Sequence, residues 1–478
     1  MKLKRIIHSN KEFLYFFGTP LLFILVLRIL GFDGLYGQDS YEYLRYTESI
    51  RGYFINGTLP GTFYWPVLYP FLASLLSFVF GDTIFALQFI SSISLSISAI
   101  YLTKTIQLLY PNHRFSFYYI MILGVFSPFL FKMSLVVMSD VMAAMFIVLS
   151  FYCFFKAYIN GTNLALFFLF ATCAFMTRYA SLFITLPIIL YSIYLTFKRK
   201  TFKDLLIASI LSFIVCIPFI TFQRDNLLGA SSNYFLNSWS FLNYFSANHT
   251  TSDGLRSYNF PNLIHSFYIF VHPGFVFIGL LLGLISIKKR KLFFSFPQKI
   301  IFISIALYLL FLSGIPFQNI RVLGLLFPIV LLLFYPSFLE LMNFKILKNN
   351  AIILGVFSVL IQLSLWGITF KHTYNRTLFE KKVTTALIPY QGKNLYSFDV
   401  DSAIQGRGLN FEYKNLIKKI YNDFRQNDLV LFHPTKFSKQ WTGKKPIINW
   451  DYLKTNYHLE ILEELPNGWK LYQIQLKQ

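Results

Sequence analysis

The sequence predicts an all-α polytopic membrane protein of about eleven transmembrane helices with external juxtamembrane helices, followed by a small C-terminal extracytoplasmic α/β domain. Three observations carry this. Hydrophobic residues make up 55% of the 478 and charged residues only 13%, against about 25% charged in a soluble domain. Mean hydropathy is +0.53, and apolar runs repeatedly reach the spanning length of about 17–25 residues. From Lys371 onward charged residues become frequent and the spanning runs stop. The weak alternation of a membrane β-barrel is absent.

The formal charge of +22 belongs to short cytoplasmic loops, where Lys and Arg collect in such proteins, and gives no reason to invoke nucleic acid. Cys153, Cys173 and Cys216 all fall inside apolar runs. They read as small core hydrophobes, with no disulfide framework or metal spacing.

Taken in order, Met1 to Lys11 carries Lys2, Lys4, Arg5 and Lys11, which predicts a cytoplasmic N-terminus. Span one runs from about Glu12 to Gly31. It is too long for a signal-peptide core and lacks a small-residue cleavage site, so it is expected to be retained. Residues 32–65 follow outside and end in the aromatic cluster Phe63-Tyr64-Trp65-Pro66. The run from Val67 to Phe80 is too short to span comfortably and is read as an interfacial or re-entrant helix. Spans are then expected at Thr83–Leu109, Phe115–Met133 and from Ser139-Asp140 to near Lys156. Residues 163–197 hold two short helices divided by Thr177-Arg178-Tyr179. Asp204–Phe222 exits to a polar loop, Gln223–Asn262. The eighth span returns to Lys288-Lys289-Arg290-Lys291, the ninth reaches Pro316, and the tenth runs from Arg321 to Lys345 and Lys348. The last runs from Ala351 to Phe370. Most Lys and Arg before Phe370 fall in segments assigned inside, which supports N inside and C outside.

This divides the chain into a transmembrane domain, 1–370, with its first external loop at 32–82, and an extracytoplasmic domain, 371–478. In the latter, Ile417, Ile420, Tyr421 and Phe424 have the spacing of an amphipathic helix. Asp428–Phe432 reads as a buried strand. Residues 458–465 and 469–476 flank Pro466-Asn467-Gly468, a hairpin turn signal.

The topology gathers Asp39, Glu42, Asp140, Arg178, Arg224, Asp225 and Arg321 on the external face. Ionisable groups beside a bilayer are expensive to keep and tend to be functional. Carboxylates with arginines suit a reaction that needs a base and an anion clamp. Each residue also has a plainer reading. Asp39 with Glu42 matches a capping box opening a helix over Ser40–Ile50; as a base, Asp39 would deprotonate an acceptor hydroxyl attacking a sugar. Asp140 suits a helix N-terminus, or a second carboxylate facing Asp39, the two sharing roles or holding a divalent cation. Arg178 and Arg321 either snorkel to headgroups or clamp a lipid phosphate. The loop 223–262, with Trp239, His249, Asp253 and Arg256, is either an ordinary interface loop or a sugar-binding one. The histidines show no metal-ligand spacing.

These residues resemble the GT-C superfamily of polyprenyl-phosphate-dependent glycosyltransferases, close to the bacterial protein O-mannosyltransferase and aminoarabinose transferase branch. The resemblance rests on Gly37-Gln38-Asp39-Ser40-Tyr41-Glu42-Tyr43, Trp65-Pro66-Val67-Leu68-Tyr69-Pro70 and Phe80-Gly81-Asp82. It continues through Met138-Ser139-Asp140-Val141, Met176-Thr177-Arg178-Tyr179 and the Arg-x-Leu-x-x-x-x-Pro stretch from Arg321 to Pro328. It covers about the first 340 residues in family order, and the C-terminal domain matches no particular branch.

The resemblance implies an inverting transferase of the cytoplasmic (inner) membrane. Asp39 and Asp140 would be its acidic catalytic positions, with Glu42, Tyr43, Trp65, Arg178 and Arg321 as candidates to bind substrate or lipid phosphate. The donor would be a polyprenyl-phosphate sugar, and the acceptor an envelope glycan, lipid or protein. No cofactor is required by the residues, and a divalent cation is left open. The alternatives are a transporter or flippase of lipid-linked glycans, for which internal repeats and mid-membrane charges are missing, and a polymerase or ligase using a lipid-diphosphate donor.

Overall fold

The computed structural model describes residues 2–110, 114–227, 237–251, 254–289, 295–344 and 349–477. His113, Asp253, Arg290, Lys291, Lys345 and Lys348 lie outside these residues, as do the side chains of Lys2, Lys4, Arg5, Lys11, Arg224 and Asp225.

The chain is a polytopic helical membrane protein. Among the described residues, seven helices are long and apolar enough to cross a bilayer: Glu12–Ile29, Thr83–Leu109, Asp140–Asn160, Ser181–Arg199, Phe202–Gln223, Phe296–Ser313 and Ala351–Tyr390. The pair Ser116–Val125 and Pro128–Leu135 makes an eighth if its 68° bend is one broken span. The bend falls at Pro128, which has no N–H to continue a helix, after a π-helical stretch at Ile120–Val125. The backbone N–H freed at Phe129 is met from elsewhere, donating to the Gly274 carbonyl, which the Ser127 hydroxyl also reaches.

Helix length therefore does not establish the expected eleven spans. The other three fall on short apolar helices, Ala165–Phe175, Gly279–Lys288 and Phe327–Met342. At 1.5 Å per residue even the longest of these, 16 residues, falls short of the roughly 30 Å of hydrocarbon. The Leu68–Phe80 helix is also short, at 13 residues, in keeping with its reading as a non-spanning segment.

The charge inside span one has a local partner. Arg28 Nη2 meets Asp82 Oδ2 at 2.7 Å and its Nη1 donates to Gln88 Oε1 at 3.2 Å. Asp82 in turn caps the Thr83–Leu109 helix through Phe85 N. That helix packs against the 12–29, 68–80 and 140–160 helices. Ser94 and Ser98 donate to the carbonyls four residues back, so these small side chains satisfy themselves and let neighbouring helices approach closely.

The last long helix, Ala351–Leu387, runs 37 residues without a proline. It carries past Phe370, where the apolar run was expected to end. Beyond it lies a five-stranded sheet of order β4-β3-β5-β7-β6. Here β1 (Asn248–Thr251) and β2 (Gly254–Ser257) are a separate ribbon, and β3 is Asn394–Ser397, β4 Glu412–Asn415, β5 Leu429–Phe432, β6 Tyr457–Glu464 and β7 Lys470–Leu476. β3 pairs in parallel with β4 and β5, and β7 is antiparallel to β5 and β6. The buried strand and the hairpin stand where the sequence predicted them. This sheet has its own core, which includes Phe398, Phe432, Phe437, Trp450, Trp469 and Ile474.

The helix expected over 417–424 does not form. Asn449 holds that segment as irregular chain, accepting from Tyr421 N and donating to the carbonyls of Leu416 and Lys419. Tyr421 and Phe424 are buried without a helix to carry them, and Ile420 faces out.

Candidate active site

Four helix ends converge. The Gly37–Asn56 helix brings Asp39 in its first turn. Asp140 is the first residue of the Asp140–Asn160 helix. Arg178 lies in the turn between the Ala165–Phe175 and Ser181–Arg199 helices. Arg321 stands in the short Ile320–Leu323 helix, whose cap Asn319 accepts from Arg321 N.

The capping box expected at Asp39 and Glu42 is not made. Gly37, with φ of 64°, lets the chain turn into the helix three residues earlier. The N-cap is Tyr36, and no side chain caps the helix. Asp39 is thereby left to long-range partners. Glu42 turns instead to Arg45, 2.9 Å away, and Arg45 donates to the Thr62 carbonyl.

The first loop is stitched to the segment before Asp140. Val137 N donates to the Gly34 carbonyl, and Ser40 Oγ is 3.1 Å from the Val137 carbonyl. The Tyr43 hydroxyl meets Ser139 Oγ at 2.6 Å. Gly34 has φ of +87°, and a Cβ there would lie 2.9 Å from Gln88. Gln88 is itself fixed by donating to the Leu135 carbonyl. Tyr43 stacks on Trp65 at 5.2 Å and meets Phe63 and Tyr69 edge-on. Trp65 thus supports the site through Tyr43.

On this frame the charges form one alternating chain. Asp39 Oδ2 is 2.7 Å from Arg321 Nη1. Arg321 Nε is 3.3 Å from Asp140 Oδ2, too poorly aligned for a hydrogen bond. Asp140 Oδ1 accepts from Arg178 Nη2 at 2.6 Å. Exposure rises along it: the side chains of Asp140, Arg178, Arg321 and Asp39 are 0%, 12%, 24% and 32% exposed. A carboxylate as buried as Asp140 needs its counter-ions. Arg321 also lies 3.5 Å from Met138 Sδ. A guanidinium has five N–H donors, yet Arg178 Nε and Arg321 Nε are buried and hydrogen-bond to no other protein group. Such donors favour an acceptor-rich, anionic guest.

The structure brings Asp39, Asp140, Arg178 and Arg321 together and sets Tyr43 and Trp65 beside them; Glu42 pairs with Arg45 and makes no hydrogen bond or ion pair with the four. Asp39 and Asp140 do not face each other directly, because Arg321 stands between them. Among the described residues no group of three or more His, Cys, Asp or Glu could hold a metal ion. Sequence reasoning missed Ser139 as the partner of Tyr43, and the contact of Tyr41 with Glu380, 339 residues away.

The whole chain superposes on ArnT from Cupriavidus metallidurans bound to undecaprenyl phosphate, with a TM-score of 0.57 at 10% identity over 95% of this chain and 97% of that one. Apo ArnT gives 0.57 at 9%. The Archaeoglobus fulgidus oligosaccharyltransferase in its apo form gives 0.54 at 14% identity, over 98% of this chain and 74% of that one. The chain has the GT-C fold. Residues 65–222 match the dolichyl-phosphate-mannose-protein mannosyltransferase family model. That stretch holds Trp65, Asp140 and Arg178, while Asp39 and Arg321 lie to either side. No curated protein matches the chain.

Proposed function

We propose that the protein is an inverting glycosyltransferase that moves a sugar from a polyprenyl-phosphate donor to an envelope glycan, lipid or protein at the external face of the cytoplasmic membrane. One observation carries this: a half-buried carboxylate, Asp39, is joined through Arg321 and Asp140 to a second arginine, and each guanidinium keeps a buried Nε that makes no hydrogen bond. The ArnT of the same fold was crystallised with undecaprenyl phosphate, which supports the choice of donor.

In this reading the acceptor oxygen attacks the anomeric carbon as the bond to the lipid phosphate breaks. Asp39 orients the acceptor hydroxyl and takes its proton. The donor's phosphodiester carries one negative charge and departs as a monoester with a second. Arg178 and Arg321 therefore meet charge that grows during the reaction, which is what accelerates it rather than merely binding substrate. Asp140 holds both arginines in place. Residues 1–370 form the catalytic transmembrane part, and 371–478 stand outside with the Asp39 loop. The hydrogen bond between Tyr41 and Glu380 supports putting both on one side.

The test supplies purified protein with decaprenyl-phosphate-linked mannose, glucose or aminoarabinose and an envelope extract, and measures free decaprenyl phosphate. Asp39→Asn is expected to lower release by about a hundredfold or more at unchanged abundance in the membrane. Release near the wild-type level removes Asp39 from the chemistry. Passage of intact donor across vesicles without release makes the protein a transporter.

A further inference from the structure

The Gly37–Asn56 helix is held on two sides. Residues two apart on a helix point in nearly opposite directions. Asp39 faces Arg321, and Tyr41 faces away from the site toward the C-terminal domain.

Tyr41 is buried. Its hydroxyl donates to Glu380 Oε2 at 2.9 Å and accepts from Arg407 Nε at 3.0 Å. Both partners are anchored. Glu380 Oε1 accepts from Arg376 Nε at 2.6 Å, and Arg376 Nη2 donates to the Asp399 carbonyl at 2.9 Å. Arg407 Nη1 and Lys381 Nζ each lie 3.0 Å from Asp33 Oδ2, just before the helix. Thr377 Oγ1 donates to the Leu35 carbonyl at 2.7 Å. The fit leaves no slack: a Cβ on Gly406 would lie 2.6 Å from the Tyr41 ring.

Asp399 follows β3 at the carboxyl end of the parallel pair β3–β5, where the connection crosses from β4 to β5. In open α/β sheets such a crevice ordinarily receives a ligand. Here Asp399, at φ of 71°, is turned to Arg376 of the long helix, so this end of the sheet serves a contact within the chain.

We propose that Tyr41 is a positioning residue: clasped between Glu380 and Arg407, it lets the C-terminal domain fix where Asp39 stands against Arg321. This rests on the reading of Asp39 as the base. A shift of the helix by a fraction of its pitch would leave donor binding by the arginines intact and misplace the base. Misplacements near 1 Å can slow chemistry about a hundredfold.

The experiment uses full-length protein and two variants that disturb the clasp from opposite sides, Tyr41→Phe and Gly406→Ala. The first readout needs no substrate: hydrogen exchange of amides 38–45 is expected to quicken in both variants, with exchange in the 140–160 helix unchanged. The second is release of decaprenyl phosphate from the same three donors. Turnover, normalised to the folded fraction read by thermal unfolding, is expected to fall about tenfold or more at near-constant KM for the donor, a loss that a smaller folded fraction would not give. If either variant fails to accumulate, the other carries both readouts. Unchanged exchange at 38–45 overturns the proposal, and so does quickened exchange with wild-type turnover. An Asp39→Asn protein with full turnover, or wild type inactive on every donor, overturns the transferase reading instead. In those cases the exchange data alone decide whether the clasp holds the helix.

Discussion

Asp140 has no exposed side-chain surface and sits between two guanidiniums. Its oxygens are the counter-charge for Arg178, which is nearly as buried. Removing one member of a buried pair strands the other, at a cost of about 3–5 kcal/mol. Asp140→Ala is therefore expected to lower the unfolding temperature and the membrane level together. Asp39→Asn, at the open end of the same chain of charges, is expected to change neither. Thermal unfolding of detergent-purified variants separates the two roles. The four charged residues were legible in the sequence because each stands near a span end, Asp39 in the polar stretch after the first span and the others beside apolar runs. Their pairing was not. Asp39 and Arg321 are 282 residues apart, and nothing local showed that Arg321 would stand between the two carboxylates. The cap at Asp39 was a local pattern overridden by where Gly37 starts the helix.

The segment between the first span and the Gly37–Asn56 helix is pinned by Asp33. Burial alone would raise the pKa of its carboxyl, but Arg407 and Lys381 outweigh burial and hold it below the usual 3.8. A lowered carboxylate pKa adds stability that is complete above the ordinary value and lost as pH falls through the folded one. The attachment of the C-terminal domain to this segment is thus expected to be constant from neutral pH to about 5 and to loosen only in stronger acid. Asp33→Asn is expected to remove that acid dependence, as read by limited proteolysis across a pH series. Elements whose pattern is met by strand partners, such as β5 and the β6–β7 hairpin, could be read from sequence. The 417–424 segment could not. Its apolar spacing suits a helix, but Asn449 satisfies its backbone first.

Across the whole molecule, the change of composition at Lys371 marked the second core but hid the continuity of the helix. Arg376, Glu380 and Lys381 are polar yet good helix formers, so charge begins where the helix does not end. The proposed orientation has a direct check. With Cys153, Cys173 and Cys216 replaced by Ala, Glu412→Cys is expected to react with an impermeant maleimide on intact cells. Lys200→Cys is expected to react only after permeabilisation. The reverse pattern inverts the topology. Helix length leaves the count of eleven spans unestablished, because apolar runs in the sequence do not reveal that several of their helices are shorter than the bilayer is thick.

The 37-residue helix is about 55 Å of unbroken rod, apolar at one end and carrying the C-terminal domain at the other. A flexible tether would let that domain swing aside like a lid. A rod does not bend at a hinge it lacks, so along its length the start of the C-terminal domain moves with the span it grows from.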